Sequence, residues 1–200
     1  MKKNKTTIFI LLFLIVTILY PLITMLVNVK WNTFSSLLNS ESFKTSLVNS
    51  LVVTSISTMI SISIAFLLSY TINRTNIKHK GLLKILLTLP MLVPSISHGL
   101  GLINLFGANG IISKMFNFNI VGPVGIVIGS IIYSFPVAFL MLDDGYNYID
   151  NTMYDSAKVL GMNKWQTFKS VTMCYLKKPF FSSIFAVFTL IFTDYGVPLA

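Results

Sequence analysis

The side chains that could carry acid–base or nucleophilic chemistry are few in this sequence and far apart. Asp143 and Asp144 are adjacent carboxylates at the end of an apolar run, where such a pair is more often solvated than catalytic. His98 has no evident acidic or nucleophilic mate, and no Gly-Lys-Ser/Thr phosphate-binding loop occurs. The single Cys174 excludes an intrachain disulfide, and no Cys/His cluster has metal-ligand spacing. We therefore predict no catalytic residue, no metal site and no cofactor.

The composition indicates an integral membrane protein. Hydrophobic residues make up 54% of the chain and charged residues 10%, and the mean hydropathy is +0.77, whereas about 25% charged residues is usual in soluble domains. The net charge of +9 could suggest nucleic acid. The basic residues, however, lie at the ends of apolar runs and not on an aromatic-interleaved patch. We expect contact with membrane lipid and none with nucleic acid.

Five apolar runs are long enough to cross a bilayer core of about 30 Å. They cover residues 6–27, 49–70, 85–105, 121–142 and 179–200. The first run is longer than a signal-peptide core and has no small-x-small cleavage site, so we expect it to remain as a span. Pro90 and Pro94 in the third run would free backbone groups that only protein or a water-lined cavity can satisfy. A kink that faces a pathway is therefore expected there.

Two isolated polar residues lie inside these runs. For His98, a hydrogen bond to a neighbouring helix is favoured over contact with a ligand. Asp194 is the stronger candidate for a functional site, because a carboxylate in a span is costly and usually faces a cavity or a partner. It follows Pro179 by about 15 residues, so it could also lie near the outer interface.

The polar segment from residue 150 to 179 contains the signals of two short helices. Thr152 and Asp155 have the spacing of a capping box, in which the hydroxyl and the carboxylate each accept a free backbone N–H. Gly161 would end this first helix, because glycine takes the left-handed conformation of a C-cap. A second helix would begin at Asn163.

Both helices of this segment are amphipathic. Their apolar faces consist of Met153, Ala157 and Leu160 on the first helix, and Trp165, Phe168, Thr172 and Tyr175 on the second. A capped helix–turn–helix at a membrane surface is common, and Asp155 could be a cap and nothing more.

The basic residues predict the orientation in the membrane. With the N-terminus inside, twelve Lys and Arg fall on the cytoplasmic side and three outside, which is a strong positive-inside bias. The cytoplasmic group is Lys2, Lys3, Lys5, Arg74, Lys78, Lys80, Lys84, Lys158, Lys164, Lys169, Lys177 and Lys178, and the outer group is Lys30, Lys44 and Lys114. This orientation places the two-helix segment in the cytoplasm.

The two-helix segment resembles the cytoplasmic loop of permease subunits in binding-protein-dependent ABC importers. The family pattern is Glu-Ala-Ala, then Gly, an apolar residue and Leu-Pro at set intervals, and it stands here as Asp155-Ser156-Ala157, Gly161, Val171 and Met173-Cys174. In that family the loop docks into a groove on the ATPase subunit and passes its motion to the membrane helices. The resemblance implies an ATPase-coupling loop formed by Asp155, Ser156, Ala157, Gly161, Trp165, Phe168 and Val171.

Further landmarks of the same family occur in order between residues 49 and 200. They are Asn49-Ser50-Leu51, Leu89-Pro90 with Pro94, Leu105-Phe106-Gly107 with Asn109-Gly110, and the run from Phe192 to Pro198. The last two look most like the iron(III), 2-aminoethylphosphonate, thiamine and polyamine branches, in which some members fuse two such halves. We expect residues 1–48 to form an N-terminal anchor span with an external segment. Residues 49–200 are expected to form a permease transmembrane domain that is incomplete at its C-terminus.

The predicted fold is an all-α integral membrane protein with about five transmembrane helices and a cytoplasmic two-helix coupling loop. The resemblance implies a multi-pass permease subunit of the plasma or inner membrane, with its N-terminus in the cytoplasm. Its partners would be a separate ABC ATPase that hydrolyses ATP, an extracytoplasmic substrate-binding protein and a second permease half, and Pro90, Pro94 and Asp194 would be candidate pathway residues. The alternatives are a truncated or inactive membrane assembly or scaffold protein and, less favoured, an intramembrane hydrolase.

Overall fold

The computed structural model describes residues 5–116, 120 and 122–200, and all regular structure within these ranges is helical. Lys2, Lys3 and Val121, which entered the predictions of orientation and spans, lie outside the described residues. The chain divides into two compact units, one that ends at Val48 and one that covers Asn49–Ala200.

The first unit consists of two helices and the beginning of a third. Helix α1, Lys5–Val27, covers the first apolar run and contains Pro21. The short helix α2, Trp31–Asn39, follows, and the rings of Trp31 and Phe34 on it are 5.8 Å apart. Helix α3, Glu41–Arg74, begins here and continues into the second unit.

In its described residues, the second unit is built from most of α3 and eight later helices. These are α4 (Lys80–Thr88), α5 (Ser95–Phe106), α6 (Ile111–Phe116), α7 (Pro123–Asn147), α8 (Asn151–Val159), α9 (Lys164–Thr167), α10 (Met173–Phe192) and α11 (Gly196–Leu199). A 3-10 turn, Leu89–Leu92, follows α4, and a π-helical turn, Phe168–Thr172, connects α9 to α10.

Among the described residues, four helical stretches are long and apolar enough to cross a membrane. They are Thr7–Val27, Glu41–Arg74, Pro123–Asn147 and Lys164–Leu199, and a bent pair, Lys80–Leu92 with Ser95–Met115, would make a fifth span. The prediction of an all-α membrane protein with about five spans is confirmed. Several of these stretches are longer than the predicted apolar runs. The difference is greatest for α3 and the last span, because both include polar segments that still favour helix.

The core of the second unit lies where α3, α7 and α10 meet. Ile62 of α3, Phe139 and Leu142 of α7, and Val187 of α10 are all buried there. Small residues between α3 and α7 let the two helices approach closely, and the hydroxyls of Ser61 and Ser134 are hydrogen-bonded across this contact at 2.8 Å. This packing fixes the helices that carry the candidate site.

The third predicted span is broken, not merely kinked. The two halves meet at an angle of 93° after the 3-10 turn. Val93 is extended and Pro94 has no N–H to donate, so the helical hydrogen-bond ladder cannot continue through this point. The prediction from Pro90 and Pro94 located the break correctly but underestimated the bend.

Candidate functional site

The first helix of the polar segment begins differently from the prediction. The carboxylate of Asp150 accepts a hydrogen bond from the backbone N–H of Thr152 at 3.0 Å, so Asp150 is the N-cap of α8. The predicted capping box of Thr152 and Asp155 is therefore wrong, because Asp150 begins the helix two residues earlier and Thr152 already lies inside it. Asp155 is exposed and forms an ion pair with Lys158, the Nζ to Oδ1 distance being 3.2 Å.

The predicted end of this helix at Gly161 is confirmed. Gly161 has φ of +73°, in the left-handed region that favours glycine. Its N–H donates to the carbonyl of Lys158 at 2.9 Å, and the N–H of Met162 donates to the carbonyl of Ala157 at 3.0 Å. These two bonds form a Schellman motif, which turns the chain sharply towards α9.

The second helix of the segment has the predicted start but a different end. Asn163 and Gln166 form a reciprocal capping box, with both hydrogen bonds at 2.9 Å. The helix does not end before the last span, however. It passes through the π-helical turn directly into α10, so that Pro179, predicted to begin the span, lies inside α10. The polar segment is thus joined rigidly to a membrane helix.

A small core holds the two halves of the segment together. Tyr154 and Ala157 of α8 and Val171 of the π-helical turn are buried against one another. The hydroxyls of Tyr154 and Thr172 are hydrogen-bonded at 3.0 Å, and the guanidinium of Arg74 lies 3.4 Å from the centroid of the Tyr154 ring. Sequence reasoning missed Tyr154 and Arg74, since the contact joins helices that are about 80 residues apart in the chain.

The opposite side of α8 is exposed and partly apolar. We call the exposed side chains of Asp155, Ser156, Val159 and Leu160, together with Trp165 of α9, the loop face. Val159, Leu160 and Trp165 are 88%, 73% and 71% exposed, respectively. Of the other predicted coupling residues, Phe168 is half-buried and stacks on Trp165 with ring centroids 5.6 Å apart, whereas Ala157 and Val171 belong to the small core. The structure thus divides the predicted set into an exposed part and a supporting part.

The candidate pathway residues do not form one site. Asp194 lines a cavity of about 410 Å³ between α3, α7 and the end of α10, where Asn49, Ser50, Thr54 and Ser130 supply other polar groups. Its carboxylate also accepts hydrogen bonds from the backbone N–H groups of α11, from Gly196 at 3.3 Å and from Val197 at 3.0 Å. Pro90 and Pro94 flank the break of the third span and do not line this cavity.

His98 lies beside the same break. Its Nε2 is hydrogen-bonded to the carbonyl oxygen of Pro90 at 3.0 Å, and its ring centroid is 6.2 Å from that of Tyr133 on α7. The expected hydrogen bond is present, but its partner is the other half of the same broken span. His98 therefore helps to satisfy a carbonyl group in the region of the break.

The two adjacent aspartates have different environments. Asp144 is exposed, as predicted, but the expectation that Asp143 is solvated is wrong. The Asp143 side chain is 8% exposed, its Oδ2 is 2.7 Å from Nζ of Lys84, and its Oδ1 accepts a 2.7 Å hydrogen bond from the amide of Asn73. The sequence could not show this arrangement, because the three groups come from α7, α4 and α3.

Comparison with known proteins identifies relatives for most of the chain. The sequence model of the binding-protein-dependent transport system inner membrane component family matches residues 57–199. A ferric transport system permease protein of Actinobacillus pleuropneumoniae is 27% identical over 124 residues, which are 58% of this chain and 18% of that protein. A thiamine transport system permease protein of Brucella suis is 27% identical over 127 residues, or 60% of this chain and 23% of that protein. The matched region spans about a fifth of the length of each relative.

A solved structure shares the fold. The crystal structure of a bacterial ABC transporter involved in the import of the acidic polysaccharide alginate aligns with a TM-score of 0.74, covering 91% of this chain and 70% of that one. The sequence identity is 15%, so this likeness concerns the fold alone.

Proposed function

The chain belongs to the family of binding-protein-dependent transport system inner membrane components, and we propose that it forms half of the substrate pathway of an ATP-driven importer. It is a multi-pass membrane protein of the transport class. In this proposal a separate ABC ATPase supplies the energy, an extracytoplasmic binding protein delivers the substrate, and a second permease half completes the pathway.

The observation that carries the proposal is the loop face. Val159, Leu160 and Trp165 are exposed apolar side chains of the polar segment. Val159 and Leu160 precede the helical stretch Lys164–Leu199, and Trp165 lies in its first turn. Apolar groups that are exposed outside the membrane-spanning runs favour a protein partner, and tryptophan is enriched among residues that dominate binding energy. In this proposal the loop face enters a groove of the ATPase subunit, and Asp155 adds a negative charge at its edge.

The way the loop is held supports its role in transmitting motion. The small core of Tyr154, Ala157 and Val171 fixes α8 against the π-helical turn. That turn continues into α10 with no intervening loop, and Arg74 at the end of α3 packs on Tyr154. A force applied to the loop face would therefore reach two membrane spans through packed side chains and continuous helix.

The cavity beside Asp194 is the candidate part of the pathway. Its polar groups come from the N-terminal halves of α3 and α7 and from Asp194, which follows α10. With the N-terminus in the cytoplasm, this cavity opens towards the side from which a binding protein would deliver substrate. In this proposal the second permease half closes the open side of the cavity.

The two tryptophans of the chain provide a matched test of docking. Trp165 on the loop face is 71% exposed and Trp31 on α2 is 75% exposed. In a pull-down from native membranes with the tagged full chain, we expect an ABC ATPase to be recovered, identified by mass spectrometry from its Gly-Lys-Ser/Thr phosphate-loop peptide. Trp165→Ala should lower that recovery at least about tenfold, a typical loss for a hot-spot residue, and Trp31→Ala should leave it unchanged. Equal recovery with both variants would contradict docking through the loop face.

A further inference from the structure

Asp143 lies near the C-terminal end of α7, just before the polar segment, and it connects α7 to α3 and α4. Its carboxylate pairs with Lys84 of α4 at 2.7 Å and accepts a hydrogen bond from Asn73 of α3, also at 2.7 Å. Both carboxylate oxygens are thereby satisfied, and the Asp143 side chain is only 8% exposed. A buried carboxylate is tolerated only when it is paired in this manner, so the positions of its partners are closely constrained.

The helix held by this ion pair is the first half of the broken span. Helix α4 is nine residues long, and a bend of 93° separates it from α5. Leu83 and Leu87 of α4 pack against the edge of the main core. Such apolar contacts are non-directional, whereas the 2.7 Å contact between Lys84 and Asp143 limits the rotation and height of α4 against α7.

The same turn of α3 also contacts the polar segment. Asn73 binds Asp143, and the next residue, Arg74, stacks on Tyr154 of α8. The last turn of α3 therefore contacts Asp143 of α7 through one residue and the polar segment through the next, and Asp143 in turn pairs with Lys84 of the broken span.

We propose that Asp143 is a positioning residue: it fixes the position of α4, the first half of the broken span, relative to the last turn of α3. Through Asn73 and Arg74 this junction joins the broken span to the segment that carries the loop face. The positioning is a property of this chain by itself, while its consequence for transport rests on the proposed function.

The neighbouring Asp144 provides a matched control. It has the same side chain, lies on the same helix turn and is exposed. Asp143→Asn keeps the side-chain volume and an acceptor for Asn73 but removes the charge, and Lys84, whose side chain is 31% exposed, can then turn towards water. We expect α4 to lose its fixed position in Asp143→Asn and to keep it in Asp144→Asn.

Spin labels can measure this positioning without knowledge of the substrate. Cysteines would replace Leu82 on α4 and Tyr148 at the end of α7, which are 61% and 78% exposed, in the full chain carrying Cys174→Ser. Double electron–electron resonance should give one narrow distance distribution in the parent and in Asp144→Asn, and a distribution at least about twice as broad in Asp143→Asn. Coinciding distributions for the two aspartate variants would overturn the proposal.

The reversed pair Lys84→Asp/Asp143→Lys separates positioning from general damage to the fold. The Asn73 amide can present its oxygen to the new lysine, so we expect the narrow distribution to return. A reversed pair that remains as broad as Asp143→Asn would show that the ion pair does not position α4.

A second measurement connects the junction to transport. Asp143→Asn leaves the loop face unchanged, so recovery of the ATPase should stay within about twofold of the parent. When ATP and vanadate are added to the complex with the ATPase, the distance between the two spin labels should shift in the parent, and this shift should be lost in Asp143→Asn. An equal shift in both would refute the proposed connection between the broken span and the loop face. If the parent itself recovers no ABC ATPase, the proposed function fails, whereas the label distances still decide the positioning role.

Discussion

Asp155 is a charged residue on a surface that is otherwise suited to apolar contact. Because Asp150 caps α8, the charge of Asp155 is not needed to begin the helix. Its ion pair with Lys158 is exposed, at 70% and 76% for the two side chains, and such pairs contribute about 0 to 1 kcal/mol. The structure therefore leaves Asp155 with little role in stability, so an effect of its substitution on binding would report on a partner.

We predict that Asp155→Asn weakens binding of the ATPase without destabilising the loop. Removing a charge that meets a basic residue in a partly desolvated groove leaves that residue unpaired, which costs about 2 to 5 kcal/mol, or about 30-fold or more in affinity. Asp155→Glu should retain binding. The measurement is the affinity between the detergent-solubilised chain and the ATPase that the proposed function requires.

Asp150→Asn is the control for this prediction. It removes the same charge five positions earlier in the segment, and asparagine is as good an N-cap as aspartate, so α8 should remain intact. We expect it to change the affinity less than about threefold. A change of less than about threefold for Asp155→Asn as well would leave Asp155 without a docking role.

Local signals at single residues were predictable where the chain makes its own contacts. Gly161, Asn163 and Gln166 act within a few positions of themselves, and the helix end and the capping box follow from residue type and spacing. Asp143 and Tyr154 were misjudged or missed, because their partners Lys84 and Arg74 come from helices distant in the sequence. The spacing of residues in a single sequence does not predict such long-range contacts.

At the scale of the helices, the sequence predicts where spans lie better than how they bend. Pro90 and Pro94 indicate that a regular α-helix is interrupted at these positions, because proline cannot donate the backbone hydrogen bond. The 93° angle depends on where the second half packs. Helix α5 lies against α7 and against α11, which comes from the end of the sequence, so the bend is set by tertiary contact.

Two glycines of α5 test how that packing holds the second half of the broken span. A Cβ at Gly99 would lie 2.5 Å from the Cβ of Ala200 and 3.2 Å from the carbonyl oxygen of Val197, whereas a Cβ at Gly101 would meet no atom within 4 Å. We expect Gly99→Ala to destabilise the protein by about 1 to 3 kcal/mol through overpacking. Gly101→Ala should be neutral or stabilising by up to about 1 kcal/mol, because alanine favours helix.

Thermal denaturation in detergent, followed by loss of the monodisperse peak in size-exclusion chromatography, measures this difference. The midpoint for Gly99→Ala should lie several degrees below that for Gly101→Ala. Matching midpoints for the two variants would mean that the contact between α5 and α11 does not hold the broken span in place.

For the whole molecule, composition and hydropathy were sufficient to predict the class and most of the architecture. An apolar chain with basic residues between its runs can satisfy its backbone in lipid only as helices or as a closed barrel, and runs of about 20 residues favour helices. The arrangement of those helices is a different matter. The core where α3, α7 and α10 meet is made of apolar residues, and many other apolar residues of these helices are exposed. Helix order in the bundle was therefore not predictable.

Charge distribution predicts the orientation of the whole molecule, and this can be tested by chemical labelling. The bias of twelve basic residues against three predicts that the N-terminus and the loop face lie in the cytoplasm and α2 outside. On a Cys174→Ser background, single cysteines would be introduced as Leu37→Cys on α2 and Asn163→Cys at the start of α9, both at exposed positions. A membrane-impermeant maleimide added to intact cells should label position 37 and leave position 163 unlabelled.

The control for this experiment is labelling after the membrane is permeabilised. Both cysteines should then react, which shows that the thiol at position 163 is accessible from its own side of the membrane. Labelling at position 163 in intact cells would reverse the orientation and place the loop face out of reach of a cytoplasmic ATPase.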